Sequence, residues 1–114
     1  MNCGNMTDFE INKLIAKVMG FNLCEGQHYK PSVTHWLGGN CKIFDPCNNP
    51  SDAWPIIIES KISIMNDLDL WEASIDFDGD LEKHGTDEVL TKHYEHANPL
   101  RAAMIVYLMM QEEL

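Results

Sequence analysis

The sequence predicts an α+β fold, a single small domain of about three helices packed on a small, mainly antiparallel β-sheet (an α/β sandwich). Three observations carry that expectation. Apolar residues recur at helical spacing in three separate stretches, a run around Trp71 alternates apolar and polar residues with the period of a half-buried strand, and glycines and prolines punctuate the chain between them. At 114 residues and 45% apolar side chains, the chain has the content for one hydrophobic core.

The first helix is expected over residues 8–19. Thr7-Asp8-Phe9-Glu10 reads as a capping box, and Ile11, Leu14, Ile15 and Val18 then share one face at i, i+3, i+4 and i+7. Gly20 supplies the stop. The polar residues 1–6 ahead of the box are expected to be a flexible N-terminus, leaving 7–114 as the domain. Residues 20–50 hold four of the seven glycines and three of the five prolines, which breaks that region into turns and short extended pieces. Ser32 to Leu37 and Cys41 to Phe44 read as two short strands.

A second helix over 51–61 is entered through Asn49-Pro50-Ser51-Asp52, whose side chains suit capping, with Ala53, Trp54, Ile57, Ile58 and Lys61 at helical spacing. Pro55 is tolerable there only within the first turn. Ile62 to Met65 reads as a short strand and Asn66-Asp67 as the start of a turn. Trp71, Ala73, Ile75 and Phe77 then alternate with Glu72, Ser74, Asp76 and Asp78, a strand with one acidic face. Residues 79–97 are polar, with further pairing around Glu88 to Thr91 and an exposed polar turn at His93-Tyr94-Glu95-His96. Asn98-Pro99 opens a last helix over 99–112, with proline at its favoured first position. That helix is apolar on most sides, with only Arg101 and its end polar, so it is expected to be buried in the core or against a partner. An open second face on it would drive homo-oligomer formation.

Eighteen acidic against eight Lys and Arg residues give a net charge of −10. That balance excludes functions that rest on neutralising phosphates, such as direct nucleic-acid binding, and equally docking to an anionic membrane. No apolar run reaches the roughly 20 residues of a membrane span, and no basic stretch opens an export signal. The cysteines Cys3, Cys24, Cys41 and Cys47 are therefore expected as reduced thiols in a cytoplasm.

No constellation asks for catalysis. Asp76-x-Asp78-x-Asp80 begins like a calcium loop, but Leu81 stands where the loop needs glycine and Asp87 where it needs glutamate, so a solvated strand end is the better reading. Cys24, His28, His35, Cys41 and Cys47 are loose for zinc, because only Cys24-x3-His28 has ligand-like closeness. There is no nucleophile elbow, phosphate loop or C-x-x-C. No catalytic residue, cofactor or metal is assigned, and no enzymatic activity is expected. Trp54 and Trp71 are expected in the core. Trp36, beside Leu37-Gly38-Gly39, carries some case for contacting a partner, although core is its simpler place. Residues 67–95 hold ten of the eighteen acids and only Lys83 and Lys92 as counter-charge. The partner-binding candidates are accordingly Trp36, Asp76, Asp78, Asp80, Glu82, Asp87 and Glu88.

Two long stretches are specific: Cys47-Asn48-Asn49-Pro50-Ser51-Asp52-Ala53-Trp54-Pro55-Ile56-Ile57 and Asn98-Pro99-Leu100-Arg101-Ala102-Ala103-Met104-Ile105-Val106. With Asp8-Phe9-Glu10-Ile11-Asn12 and Trp71-Glu72-Ala73-Ser74, they make the chain resemble NinX-like proteins of tailed bacteriophages and prophages, similar in element order to small phage "ABA sandwich" domains. The resemblance covers nearly the whole chain, with 22–46 and 67–95 matching least. It implies a phage-encoded α/β sandwich of no assigned activity and carries over no catalytic residue. The expectation that follows is an accessory protein of the host cytoplasm that binds a host or phage protein. The alternatives are an acidic mimic of nucleic acid that fills the basic groove of a host DNA-binding or defence protein, and a metal-binding regulatory domain using Cys and His residues between 24 and 47.

Overall fold

The three expected helices form as α1 (Asp8–Val18), α2 (Pro50–Ser60) and α3 (Pro99–Glu113), joined by strands β1 (Val33–Leu37), β2 (Asn40–Phe44), β3 (Ser63–Asp67), β4 (Leu70–Asp78) and β5 (Val89–His96). The structure is a computed structural model and describes residues 3–24, 32–78 and 89–113. The strands make two antiparallel sheets, a β1–β2 hairpin and a three-stranded sheet ordered β3-β4-β5.

Local chemistry accounts for the boundaries. The Thr7 hydroxyl accepts the Glu10 amide at 3.2 Å, while its own proton goes to the Glu10 carboxylate, so the box closes through side chains. Asn49 caps α2 by accepting the Ser51 amide at 3.0 Å, and Asn98 caps α3 by accepting the Leu100 amide at 3.0 Å. Pro55 does not lie in the first turn: α2 begins at Pro50, which places Pro55 inside it. The helix tolerates this because the carbonyl left without an amide belongs to Ser51, which is exposed and open to water. The β1–β2 turn takes Gly38 and Gly39 at φ 63° and 84°, the left-handed pair that a two-residue hairpin needs. The β3–β4 turn instead places Leu68 at φ 56°, braced by the Asn66 amide on the Leu68 and Leu70 carbonyls at 3.1 Å each.

β5 is longer than the sequence suggests, and His93 to His96 are strand rather than turn. Its register sets Trp71 against His96, Ala73 against Tyr94, Ile75 against Lys92 and Phe77 against Leu90. Those residues face α3, with Ile64 of β3 beside Ala73. The opposite face carries Glu72, Ser74 and Asp76 of β4 with Thr91, His93 and Glu95 of β5.

α3 explains its own composition. It packs on β4 and β5 on one side and on α1 and α2 on the other, so Ala102 through Val106 and Leu108 are all buried. An α-helix covered on both sides is apolar nearly all round. Tyr107, Met109 and Met110 toward the end of α3 are half-buried. Arg101, the polar residue at the start of that helix, is itself 8% exposed. The tryptophans reverse their expected places: Trp54 is 59%, Trp36 54% and Trp71 36% exposed, so none belongs to the core that Ile11, Ile15, Met104, Ile105 and Val106 build.

Candidate functional site

Residues from three of the four recognisable stretches meet at one place, where the three helices begin. Arg101 of α3 pairs with Asp8 of α1, and its other nitrogen donates to the Met6 carbonyl at 2.6 Å and the Cys3 carbonyl at 3.5 Å. Asn12 of α1 donates to Asp45 at 2.7 Å and accepts the Cys47 amide at 3.1 Å. Asp52 of α2 accepts the Asp45 amide at 2.9 Å, and Asn98 donates to the Cys47 carbonyl at 2.7 Å. Within the stretch 1–6, where no order was expected, Cys3–Asn5 form a 3-10 turn with Cys3 buried. Arg101 anchors that turn to α3.

The junction is closed chemically. Burial opposes the Asp8 charge, but the hydrogen bonds from Asn48 and Arg101 and the fields of Arg101 and His96 outweigh it and hold its carboxyl below the ordinary value. Three helix N-termini would attract an anion, and here Asp8 and Asp52 of the chain itself fill that role. Burial, with the negative field of Asp8 second, pushes the Cys47 thiol up to about 12. Such a thiol stays protonated near neutrality.

Cys24 and Cys41 are joined by a disulfide, with their Cα atoms 6.3 Å apart. This corrects the expectation of four reduced thiols. It also removes two of the five groups on which a zinc site would have drawn. A third, His35, is stacked on Phe21 at 4.4 Å between ring centroids, with Phe44 edge-on at 5.7 Å. His28 lies outside the described residues. Among the described residues no three His, Cys, Asp or Glu side chains converge as metal ligands would.

The acidic candidates divide. Asp76 sits on the open sheet face and accepts the Thr91 hydroxyl at 2.7 Å. Asp78 is the last residue of β4, paired in register with Val89, while Asp80, Glu82, Asp87 and Glu88 lie outside the described residues. Three acids of this face were not among the candidates. Glu72 shares the parity of Asp76 and was legible, whereas Glu95 required the β4–β5 register, which sets it directly opposite Glu72. Asp67 closes the same side at the end of β3, opposite Leu70. Among the described residues of this face there is no Lys or Arg.

Trp36 is not brought to that face. It belongs to the other sheet, opposite Cys41, and borders a cavity of about 420 Å³ between the end of α1, β1 and the start of α2. A second apolar groove, of about 590 Å³, runs between α2 and the β3–β4 hairpin, with Trp54, Ile58, Ile64 and Trp71 on its walls. Trp54 and Ile58 are one turn apart on the outer side of α2, beside the buried Ile57. Spacing alone assigned them to the core because two adjacent helical stripes were both apolar.

Among the described residues, no helix is long and apolar enough to cross a membrane. These features define a small α+β domain whose distinctive residues serve its assembly and whose open surfaces are an acidic sheet face and apolar grooves. From residue 2 to residue 111 the chain matches the family described as Bacteriophage P22, NinX, and it belongs to that family of phage accessory proteins. No curated protein matches it.

Proposed function

We propose that this phage accessory protein works without catalysis, by binding a basic surface of a host or phage protein through the open face of its three-stranded sheet. The supporting observation is the direct pairing of Glu72 with Glu95 across β4 and β5, flanked by Asp76 on a face without Lys or Arg among its described residues. Like charges directly opposed in a sheet cost roughly 0.2–1 kcal/mol. Folding draws no benefit from that arrangement, whereas a cationic partner both relieves it and is steered by it.

The test is capture from host lysate by the native protein and by a triple variant, Glu72→Gln with Asp76→Asn and Glu95→Gln. A captured protein with a basic surface, lost with the triple variant and released as salt rises, is the expected result. Equal capture by both forms would remove this reading.

Nucleic-acid mimicry is the narrower form of the same proposal, and the gathering of carboxylates on one sheet face favours it over an even scatter. On β4 the carboxylates of Glu72 and Asp76 stand four residues apart, about 13 to 14 Å along the strand, with Ser74 between them. If the captured partner binds DNA, short duplex DNA should compete for it. Failure to compete limits the reading to a basic protein surface in general.

A further inference from the structure

The geometry points to the recognised element itself: an extended segment of the partner, alternating apolar and basic residues, that adds alongside β3 as a fourth strand of the sheet. This rests on the acidic-face reading and specifies the partner's form.

β3 is the outer strand of its sheet, and among the described residues only β4 pairs with it. Natural edges are usually blunted by lysine, proline, a bulge or a covering element. Ser63-Ile64-Met65-Asn66-Asp67 has neither lysine nor proline, and Met65 is 64% exposed. A strand laid on this edge would continue both faces of the sheet, with its side chains alternating between them. On the α3 side it would meet the groove of about 590 Å³, where Trp54 and Ile58 stand above Ile64 and Trp71. On the other side its neighbours would be Ser63, Met65 and Asp67 of β3, with Glu72 of β4 one strand beyond Met65, within reach of a long cationic side chain. One face asks for apolar anchors and the other for cations, so the required segment alternates between them at period two.

The hairpin tip supports the same direction of approach. Leu68 adopts a left-handed backbone that glycine or asparagine would take at lower cost, and is 90% exposed. The turn thus keeps an apolar side chain in water at the end of the hairpin whose edge strand is β3. A second copy of this chain is a poor occupant. Each copy carries a net charge of −10, and pairing edge to edge would bring two acidic faces together. A basic strand meets the opposite field, and main-chain hydrogen bonds along the edge supply affinity that does not depend on its exact sequence.

The test titrates the full chain with synthetic ten-residue peptides, reading tryptophan emission and amide-exchange protection over residues 63–67. One peptide alternates valine with lysine, a second has the same composition with its lysines grouped, and a third alternates valine with serine. The expected result is at least tenfold tighter binding of the first than of either other. Protection of β3 amides and at least a tenfold loss with Trp54→Ala, an exposed position whose change leaves the core intact, should accompany it. Equal binding of the first and second peptides, with loss in the triple acidic variant, overturns the added strand and leaves the acidic-face reading standing. Equal binding of the first and third removes the electrostatic reading and this proposal with it. Sedimentation showing a dimer of the peptide-free chain that Trp54→Ala dissolves assigns the edge to a second copy instead.

Discussion

The junction of the helix starts and the open face of the three-stranded sheet are both rich in carboxylates, and they treat them in opposite ways. In the junction each acid is matched: Asp8 by Arg101 and Asn48, Asp45 by Asn12 and Asn48, Asp52 by the Asp45 amide. On the sheet, Glu72 faces Glu95, and Asp76 receives one hydroxyl from Thr91. A carboxylate that builds the fold is surrounded by donors because a partly buried charge without them is costly. A carboxylate that faces its own kind on an open surface is placed for something outside the chain. Most of the recognisable residues fall on the first kind, while the short stretch Trp71 to Ser74 places Glu72 on the second, so recognition of the family speaks chiefly for assembly.

The sharpest way to break this contrast is at Arg101. Arg101→Ala removes the partner of Asp8 and two carbonyl contacts at a position 8% exposed, and is expected to cost about 3 kcal/mol in urea unfolding. A loss below about 1 kcal/mol would show that the junction is not what holds the helices together. Next comes acid. Because the Asp8 carboxyl is held down in the folded state, its contribution is full above the unfolded value near 3.8 and is lost as pH falls through the lower folded value. Asp8→Asn should flatten that acid limb by about 1 kcal/mol, a modest figure because the side chain is 41% exposed. The smallest effect has the opposite sign. Glu95→Gln should raise stability by about 0.5 kcal/mol, since it relieves a like-charge pair. If thermal unfolding shows a loss instead, the sheet face serves the fold and the distinction drawn above collapses.

How much of this was legible follows from which signals are local. The capping box at Thr7 to Glu10, the Asn49 and Asn98 caps and the strand from Trp71 to Phe77 are written within a few neighbouring residues, and each formed where expected. β5 was obscured because Lys92 and His96 occupy inward positions, which erases the apolar alternation that marks a strand. The burial of Arg101 depends on Asp8, 93 residues away, and the bond between Cys24 and Cys41 on the approach of two elements; neither leaves a mark in spacing. The same holds for the candidate surface. Asp76 was visible from its parity, whereas Glu95, opposite Glu72 across the strands, and the exposed Trp54 became readable only once register and packing were known.

The grip of Arg101 on the first residues also sets an order of events. Its contacts to Cys3, Met6 and Asp8 span 98, 95 and 93 residues. Contacts so distant in the chain close late, because the loop between them must be ordered before they repay its entropy. During synthesis the opening segment has no place to dock until the α3 codons have been translated. Throughout that interval Cys3 and the apolar face of α1 lack the covering that the finished junction gives them.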